Sequence, residues 1–427
     1  MSSGIADWAS LPNAAITRTL AAADAVTAAN ASCVCTQWRS AVRANDLLWR
    51  GFARRDLPEL ADVWDRQSGG THRTRLNWHE EFAHASLLRN RWRRAERHVK
   101  LTTLSKHRRV ITGCAFVDGA IVSTSYDNTL VVWEDWNGEV KWNRVVDQST
   151  RAPFTGVCSS RRAHEMFFTH CKDATVHAWK SPNGDMISPI IDPECRDPRA
   201  RRSLVVHAMA VTDDNSRLFT GHGSGSLCVW DVEYRRLGSL VNDEDAHRGP
   251  VFDVALSHAG DIIATASADT CVQLRDTRTP ARVVSNIDHA EDGLLAVDFM
   301  EGDREMVTGG LEGIARVYDL RMPCAPALTI NVNTGDGAGE RNWIRAISVY
   351  ANCAVAFACK DGFVRICIPE ADAAAGTATA LPMEEHGDER APADMRAVCV
   401  HPSGESIVAG STNGALYHWR FGKASPL

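Results

Sequence analysis

Apolar and polar positions alternate in short runs along residues 98–427, as in TLVVW at 129–133, SLCVW at 226–230 and CVQLR at 271–275. Alternation with period two marks strands with two unlike faces. A small-residue, β-branched run precedes each, such as AIVSTS at 120–125, DIIATAS at 261–267, EMVTGG at 305–310 and SIVAGS at 406–411. Turn residues separate the paired runs: Tyr126-Asp127-Asn128, Gly223-Ser224-Gly225, Lys360-Asp361-Gly362 and Thr412-Asn413-Gly414. Gly and Asn supply the positive φ that a tight hairpin needs. The pattern predicts repeated hairpins.

The hairpin recurs in a fixed frame. Asp127 and Trp133 stand six residues apart, and the same spacing returns at Asp173/Trp179, Ser224/Trp230, Asp269/Arg275, Glu312/Tyr318, Asp361/Cys367 and Asn413/Trp419. Successive frames are 46, 51, 45, 43, 49 and 52 residues apart. A period of about 40–50 residues with strand signatures points to propeller blades. One such sheet cannot bury both faces alone, whereas seven stacked radially bury one another. The expected fold is therefore mainly β, a seven-bladed propeller over residues 98–427. The seventh unit runs out soon after Trp419, so 98–104 is expected to supply its outer strand and close the ring; the alternative is a simple lead-in loop.

Residues 1–56 show no alternation and are rich in Ala, which predicts a small all-α domain of three short helices ending near Leu48 and Trp49. Residues 57–97 read as a linker and a neck. The stretch 58–75 is polar, contains Gly69-Gly70 and predicts an exposed loop. Beyond it Trp78, Phe82, Ala85, Leu88 and Trp92 fall on one apolar face of a helix.

Trp230-Asp231 is a full Trp-Asp dipeptide, with Trp133-Glu134, Tyr318-Asp319 and Trp419-Arg420 as variants. On these residues the chain resembles the WD-repeat family. The resemblance implies a buried hydrogen-bonded set of His107, Ser123, Asp127 and Trp133 in blade one. In blade four it implies His247, Thr265 and Asp269, with Arg275 where the family has Trp. The N-terminal segment resembles an F-box through Leu11-Pro12, through Val34, Cys35 and Trp38, and through Leu48-Trp49. Together the two resemblances imply a substrate-recruiting subunit of a Skp–cullin–F-box ubiquitin ligase. Leu11, Pro12, Ile16, Val34, Cys35 and Trp38 would dock the Skp-type adaptor, and the propeller would hold a target protein, phosphorylated or not. Such a subunit is not itself an enzyme. The alternative is a WD-repeat interaction scaffold without a ligase role.

Composition narrows the rest. The chain is 44% hydrophobic and 23% charged, ordinary for a globular protein. No run of about 20 apolar residues exists, so no membrane partner is expected. The 13 Cys are scattered, which suits free thiols in the reducing cytosol or nucleus. Net charge is −6, but residues 1–109 carry +8 and the remainder −14. The basic run Arg89, Arg91, Arg93, Arg94, Arg97, Lys100, Lys106, Arg108, Arg109 could contact nucleic acid, but a solvated helix face beside an acidic propeller explains it better. GHGSG at 221–225 and GDGAG at 335–339 lack the Lys-Ser/Thr ending of a phosphate loop. Cys33 and Cys35 have no second ligand pair at zinc spacing. No cofactor, metal or catalytic residue is expected. Residues just before each blade's first strand are expected at the channel mouth: Arg108, Arg109, Phe154, Arg248, Trp343, Arg345 and Arg396. Arg offers forked donors for phosphate or carboxylate, and Trp offers anchoring area. In related receptors such a ring reads a short anionic segment. Glu291, Asp292 and Asp394 take similar positions, so scattered surface charge fits equally.

Overall fold

The computed structural model describes residues 20, 28, 42, 45–56, 77–93, 99–136, 139–147, 152–160, 166–180, 185–190, 205–233, 236–241, 246–288, 291–300, 302–333, 341–350, 354–369, 378–381 and 393–421. The chain divides into two compact units, the second beginning at Trp92.

The described part of the first unit holds helix α1 (Asp46–Asp56) and most of helix α2 (Trp78–Arg93). Asn45 caps α1, its Oδ1 accepting the Leu48 amide at 3.1 Å. Asp46 in the first turn and Arg54 and Arg55 in the last complement the helix dipole. Leu48 and Trp49 therefore lie inside a helix that continues to Asp56, not at the end of one as the composition predicted. Trp49 is buried, donates its Nε1 proton to the Val42 carbonyl at 2.7 Å, and packs against Phe52 and Phe82 at centroid distances of 5.4 and 5.6 Å. On α2, Trp78, Phe82, Ala85, Leu88 and Trp92 are all buried. The linker 58–75 and residues 191–203 and 370–377 lie outside the described residues, as do Leu11, Pro12, Ile16, Val34, Cys35 and Trp38.

The second unit contains seven four-stranded antiparallel sheets among the described residues. Six are built from consecutive strands. In the seventh, Lys100–Ser105 pairs with Ala415–Arg420 as the outermost strand, with Leu101 opposite Trp419. The innermost strands, Ile111–Val117, Phe154–Ser159, Val206–Val211, Val251–Leu256, Leu294–Phe299, Ile344–Tyr350 and Met395–Val400, each adjoin those of the blades on either side, the last adjoining the first. The ring is closed, and the outward-facing edges are confined to the outermost strands, which run from two residues (Thr379–Ala380) to nine (Glu139–Asp147). Trp92 belongs to this unit by its contacts: its indole stacks on Phe421 and Tyr350 and donates to the Gly404 carbonyl at 3.0 Å.

The seven frame positions Trp133, Trp179, Trp230, Arg275, Tyr318, Cys367 and Trp419 occupy one register, opposite Ile121, Phe167, Leu218, Ile263, Met306, Val355 and Ile407. All seven are at most 3% exposed. They fill the wedge between adjacent sheets, where each blade covers the face its neighbour leaves open.

Glycine sets how closely blades approach at one end. Gly225 has φ +87° and lies where a Cβ would stand 2.1 Å from the His247 carbonyl of the next blade. Gly119 has a similar φ of +77° but open space around it. Gly119→Ala is expected to cost only the left-handed penalty of about 1–2 kcal/mol. Gly225→Ala should cost clearly more in urea unfolding, because backbone must also move; equal losses would contradict the blade contact.

Candidate functional site

The channel end that carries the turns between second and third strands is organised by one repeated hydrogen-bond set. In blade one, Trp133 Nε1 donates to Ser123 Oγ at 2.8 Å, Ser123 Oγ lies 2.7 Å from His107 Nε2, and His107 Nδ1 lies 2.8 Å from Thr129 Oγ1. Asp127 completes the set by accepting the amides of Arg108 at 2.6 Å and Thr129 at 2.9 Å. In blade four, His247 bridges Thr265 at 2.8 Å and Asp269 at 2.9 Å, and Asp269 accepts the Arg248 amide at 2.9 Å. Arg275 replaces the indole and donates to Gln273 Oε1 at 2.7 Å and to the carbonyls of Pro280 and Ala281.

The other blades keep parts of this set. Trp179 and Trp230 donate to Thr169 and Thr220, each at 2.8 Å. In blade three the histidine is His222, two residues along the same strand as Thr220 and not in the preceding loop. In blade six Asn342 stands in for histidine, donating to Asp361 at 3.0 Å and accepting its amide. In blade five Glu312 takes the amides of Glu291 at 2.6 Å and Asp292 at 3.2 Å. Trp230 and Asp231 follow the frame at the end of a third strand, with Asp231 opposite Arg217.

These bonds fix the charge of the turns. Burial opposes ionisation of Asp127, but hydrogen bonds from His107, Thr129 and the Arg108 amide hold it well below the ordinary carboxylate range. Burial likewise opposes Asp269, and His247 with the Arg248 amide holds it down to about 2.

The mouth itself is defined by a bulge. Every innermost strand shifts register after its first residue: Ile111, Phe154, Val206, Val251, Leu294, Ile344 and Met395. Those seven side chains are at most 1% exposed. The next residue in each, Thr112, Thr155, His207, Phe252, Leu295, Arg345 and Arg396, is exposed or half-exposed. A bulge re-aims side chains in this way.

The bulge corrects one expected rim residue. Phe154 precedes it and is buried with Phe167 and Trp179 inside the blade seam; Thr155 holds the open position. Three others have partners within the chain. The Trp343 ring carries Arg345 at 4.5 Å and Lys360 at 4.6 Å, and Arg345 pairs with Asp394 at 3.0 Å. Arg396 reaches the same carboxylate at 3.5 Å. Trp343 and Arg345 are thus packing partners of each other rather than a free anchor and a free anion clamp.

Arg108 and Arg109 remain exposed, as does Arg248. The first two line a cavity of about 530 Å³ with Lys172, Tyr126, Val110, Pro153 and Thr412. The side chains of Arg108, Arg109 and Lys172 form no ion pair among the described residues, and Tyr126 is 40% exposed. Lys172, Tyr126 and Thr412 come from the turns between second and third strands, not from the loops that precede first strands. The basic run is divided: Arg89 is half-buried, while Lys100 and Lys106 are exposed before the first blade.

The opposite end holds a smaller cavity of about 210 Å³ lined in part by Asp253, Asp298, Met209 and Ile347. Burial, aided by Asp298, pushes the Asp253 carboxyl up to about 7 against its amide bonds. Asp253 and Asp298 accept the Val297 and Val349 amides of the next blades at 2.9 and 3.0 Å, which makes them braces between sheets. Among the described residues no three His, Cys, Asp or Glu side chains converge as a metal site, and no helix is long and apolar enough to cross a membrane.

Seven blades with recurring indole–hydroxyl and histidine–carboxylate bonds define a WD-type propeller. The family model described as WD domain, G-beta repeat matches residues 98–134 and 238–276, which include the two blades with the loop-histidine set. The chain is 26% identical over 209 residues to the guanine nucleotide-binding protein subunit beta of Zea mays, covering 44% of this chain and 54% of that one. It is 24% identical over 260 residues to the angio-associated migratory cell protein of Canis lupus familiaris, covering 57% and 56%. It is 26% identical over 224 residues to the ribosome biogenesis protein WDR12 homolog of Drosophila mojavensis, covering 49% and 51%. The chain thus spans about half the length of these curated relatives. The chain carries WD repeats at the matched residues.

The native pKa of Asp269 lies below the value near 3.9 of an unfolded Asp, so the stability it adds is complete above that value and disappears as pH falls toward 2. Asp269→Asn should therefore lower stability at pH 6 and flatten the decline between pH 4 and pH 2. Guanidinium unfolding at the two ends of that window checks it; parallel pH curves would contradict the bond.

Proposed function

We propose that this chain is a non-catalytic protein-interaction propeller whose mouth holds an anionic segment of a protein partner. The observation that carries the reading is the cavity of about 530 Å³ where Arg108, Arg109 and Lys172 stand beside exposed Tyr126. Three cations whose side chains form no ion pair among the described residues favour carboxylate or phosphate, and an exposed phenol adds contact area at small entropic cost. The relatives support the general role: they are named as a guanine nucleotide-binding protein subunit and as a ribosome biogenesis protein. WD-repeat propellers generally act as non-catalytic scaffolds.

A fluorescein-labelled octaglutamate and a phosphoserine octapeptide test it by anisotropy on the full chain. At least one should bind, and Arg109→Glu/Lys172→Glu should weaken it tenfold or more, since two attractive contacts become repulsive. Binding unaffected by the double reversal, or absent for both probes, would refute the site.

A second reading rests on the N-terminal motif. Leu11-Pro12, Val34, Cys35, Trp38 and Leu48-Trp49, followed by a helix and WD repeats, support a substrate receptor of a Skp–cullin–F-box ubiquitin ligase. Leu11, Pro12, Ile16, Val34, Cys35 and Trp38 would grip the Skp-type adaptor, and the propeller would present its target to a ubiquitin-loaded enzyme, so that proximity does the catalytic work. Cytosol or nucleus is the matching compartment. Co-purification with a Skp-type adaptor, lost in Leu11→Ala/Pro12→Ala, is the expected result; a wild type that brings down no adaptor leaves the scaffold reading.

A further inference from the structure

The turn that joins the third and fourth strands of blade four lies at the end of the sheets away from the mouth. Asp276 opens it, accepting the Arg278 amide at 2.8 Å and the Arg278 guanidinium through two N–H groups at 3.1 and 2.7 Å. The Thr279 amide donates to the Asp276 carbonyl at 3.1 Å. The Arg282 amide then donates to the Thr279 carbonyl at 3.1 Å, with Pro280 in the second place of that four-residue turn, where its fixed φ is favoured. From inside, Arg275 holds the Pro280 and Ala281 carbonyls at 3.0 and 3.1 Å, while Arg278, Thr279 and Arg282 stay exposed.

Blade five repeats this turn with one telling difference. Asp319 accepts the Arg321 amide at 2.9 Å and its guanidinium, the next amide donates to the Asp319 carbonyl at 3.0 Å, and Pro323 matches Pro280. The place of Thr279 is taken there by Met322. The turn therefore forms without a hydroxyl. In blade four the Thr279 hydroxyl makes no hydrogen bond among the described residues. Its neighbour Thr277, by contrast, is buried and donates to the Gly260 carbonyl at 2.9 Å.

Two cations flank the open hydroxyl. Arg278 precedes it, forked onto Asp276 and attracted by Asp261. The turn brings the Arg282 Cα within about 7 Å of the Thr279 Cα, and Arg282 forms no ion pair among the described residues.

We propose that Thr279 is a phosphorylation site served by a proline-directed protein kinase, and that the phosphate is held between Arg282 and Arg278. Thr279-Pro280-Ala281-Arg282 offers such an enzyme a target followed by a residue with no N–H to satisfy and, three places on, a cation. The Thr279 Oγ1 attacks the γ-phosphorus of ATP, the bond from that phosphorus to the departing ADP oxygen breaks, and the hydroxyl proton passes to the kinase's own carboxylate base. A kinase draws its target out extended. The Arg282–Thr279 turn bond and the Arg275 bonds must therefore open first, an event confined to the outer part of the blade. The product carries about −1.5 to −2 charges at neutral pH. Against Asp276, Arg278 and Arg282, that turns a net positive turn net negative. Arg282 gains an ion-pair partner, and Arg278 is shared with Asp276.

The test treats the full chain with ATP and magnesium and, in parallel, a cyclin-dependent and a mitogen-activated kinase. Peptide mapping by mass spectrometry should find phosphate on Thr279 with at least one of them, and Thr279→Ala should lose that phosphopeptide. Phosphorus NMR then reads the cradle, the Thr279 signal being the one that Thr279→Ala lacks. Cations favour the dianion, so this phosphate should take up its last proton about 0.5 pH lower or more in the folded chain than in the same phosphoprotein unfolded in urea. Arg278→Gln, which leaves the Thr-Pro-x-Arg pattern intact, should narrow the difference. No phosphate on Thr279 with either kinase, or a Thr279 phosphate that titrates alike in the folded and unfolded chain, would overturn the proposal.

Discussion

A single contact orders this molecule: a turn side chain accepting the backbone N–H of the loop that enters its own blade. Asp127 holds the Arg108 amide, Asp269 the Arg248 amide, and Glu312 the amides of Glu291 and Asp292. The amide is neutral and the acceptor ionised, so the bond belongs to the stronger class. His107 and His247 then tie the same turns to the second strands. The carbonyl of each of these two histidines packs on the turn glycine of the preceding blade, Gly414 and Gly225. One residue thereby braces its own blade and spaces it from its neighbour. The exposed side chains of Arg108 and Arg248 are positioned by this backbone clamp and stay available to solvent.

The set tolerates replacement where the buried polar groups still find partners. Arg275 is only 2% exposed, and an unsatisfied guanidinium there would cost several kcal/mol. It survives by donating to Gln273 and two carbonyls. Arg365, equally buried, forks onto Asp361, which Asn342 also holds. In blade six Phe357 takes the strand position that carries a hydroxyl in blades one to five, and the core there is correspondingly apolar. Each blade solves the same accounting problem with different residues, which explains why the family model matches only some of them.

Much of this was legible in the sequence. The six-residue frame located seven buried positions in one register because strand period and turn chemistry are local properties. The helical face of Trp78, Phe82, Ala85, Leu88 and Trp92 was equally plain. The errors have a physical source. A one-residue bulge inverts which neighbour faces the seam, so Phe154 and Thr155 exchanged roles. Pairing across space absorbed Trp343 and Arg345 through Lys360 and Asp394, which no local pattern encodes. Lys172 and Tyr126 reach the mouth from turns of different blades, and only the closed ring brings them beside Arg108 and Arg109. The interior continuation of α1 past Trp49 depended on its aromatic packing with Phe52 and Phe82.

Native-state hydrogen exchange, resolved to single amides, tests the clamp most directly. The Arg108 and Arg248 amides sit in surface loops yet should exchange as slowly as those of the innermost strands, opening only with global unfolding. In Asp127→Asn and Asp269→Asn their protection should fall selectively. Loop-like exchange of these amides in the wild type would contradict the account.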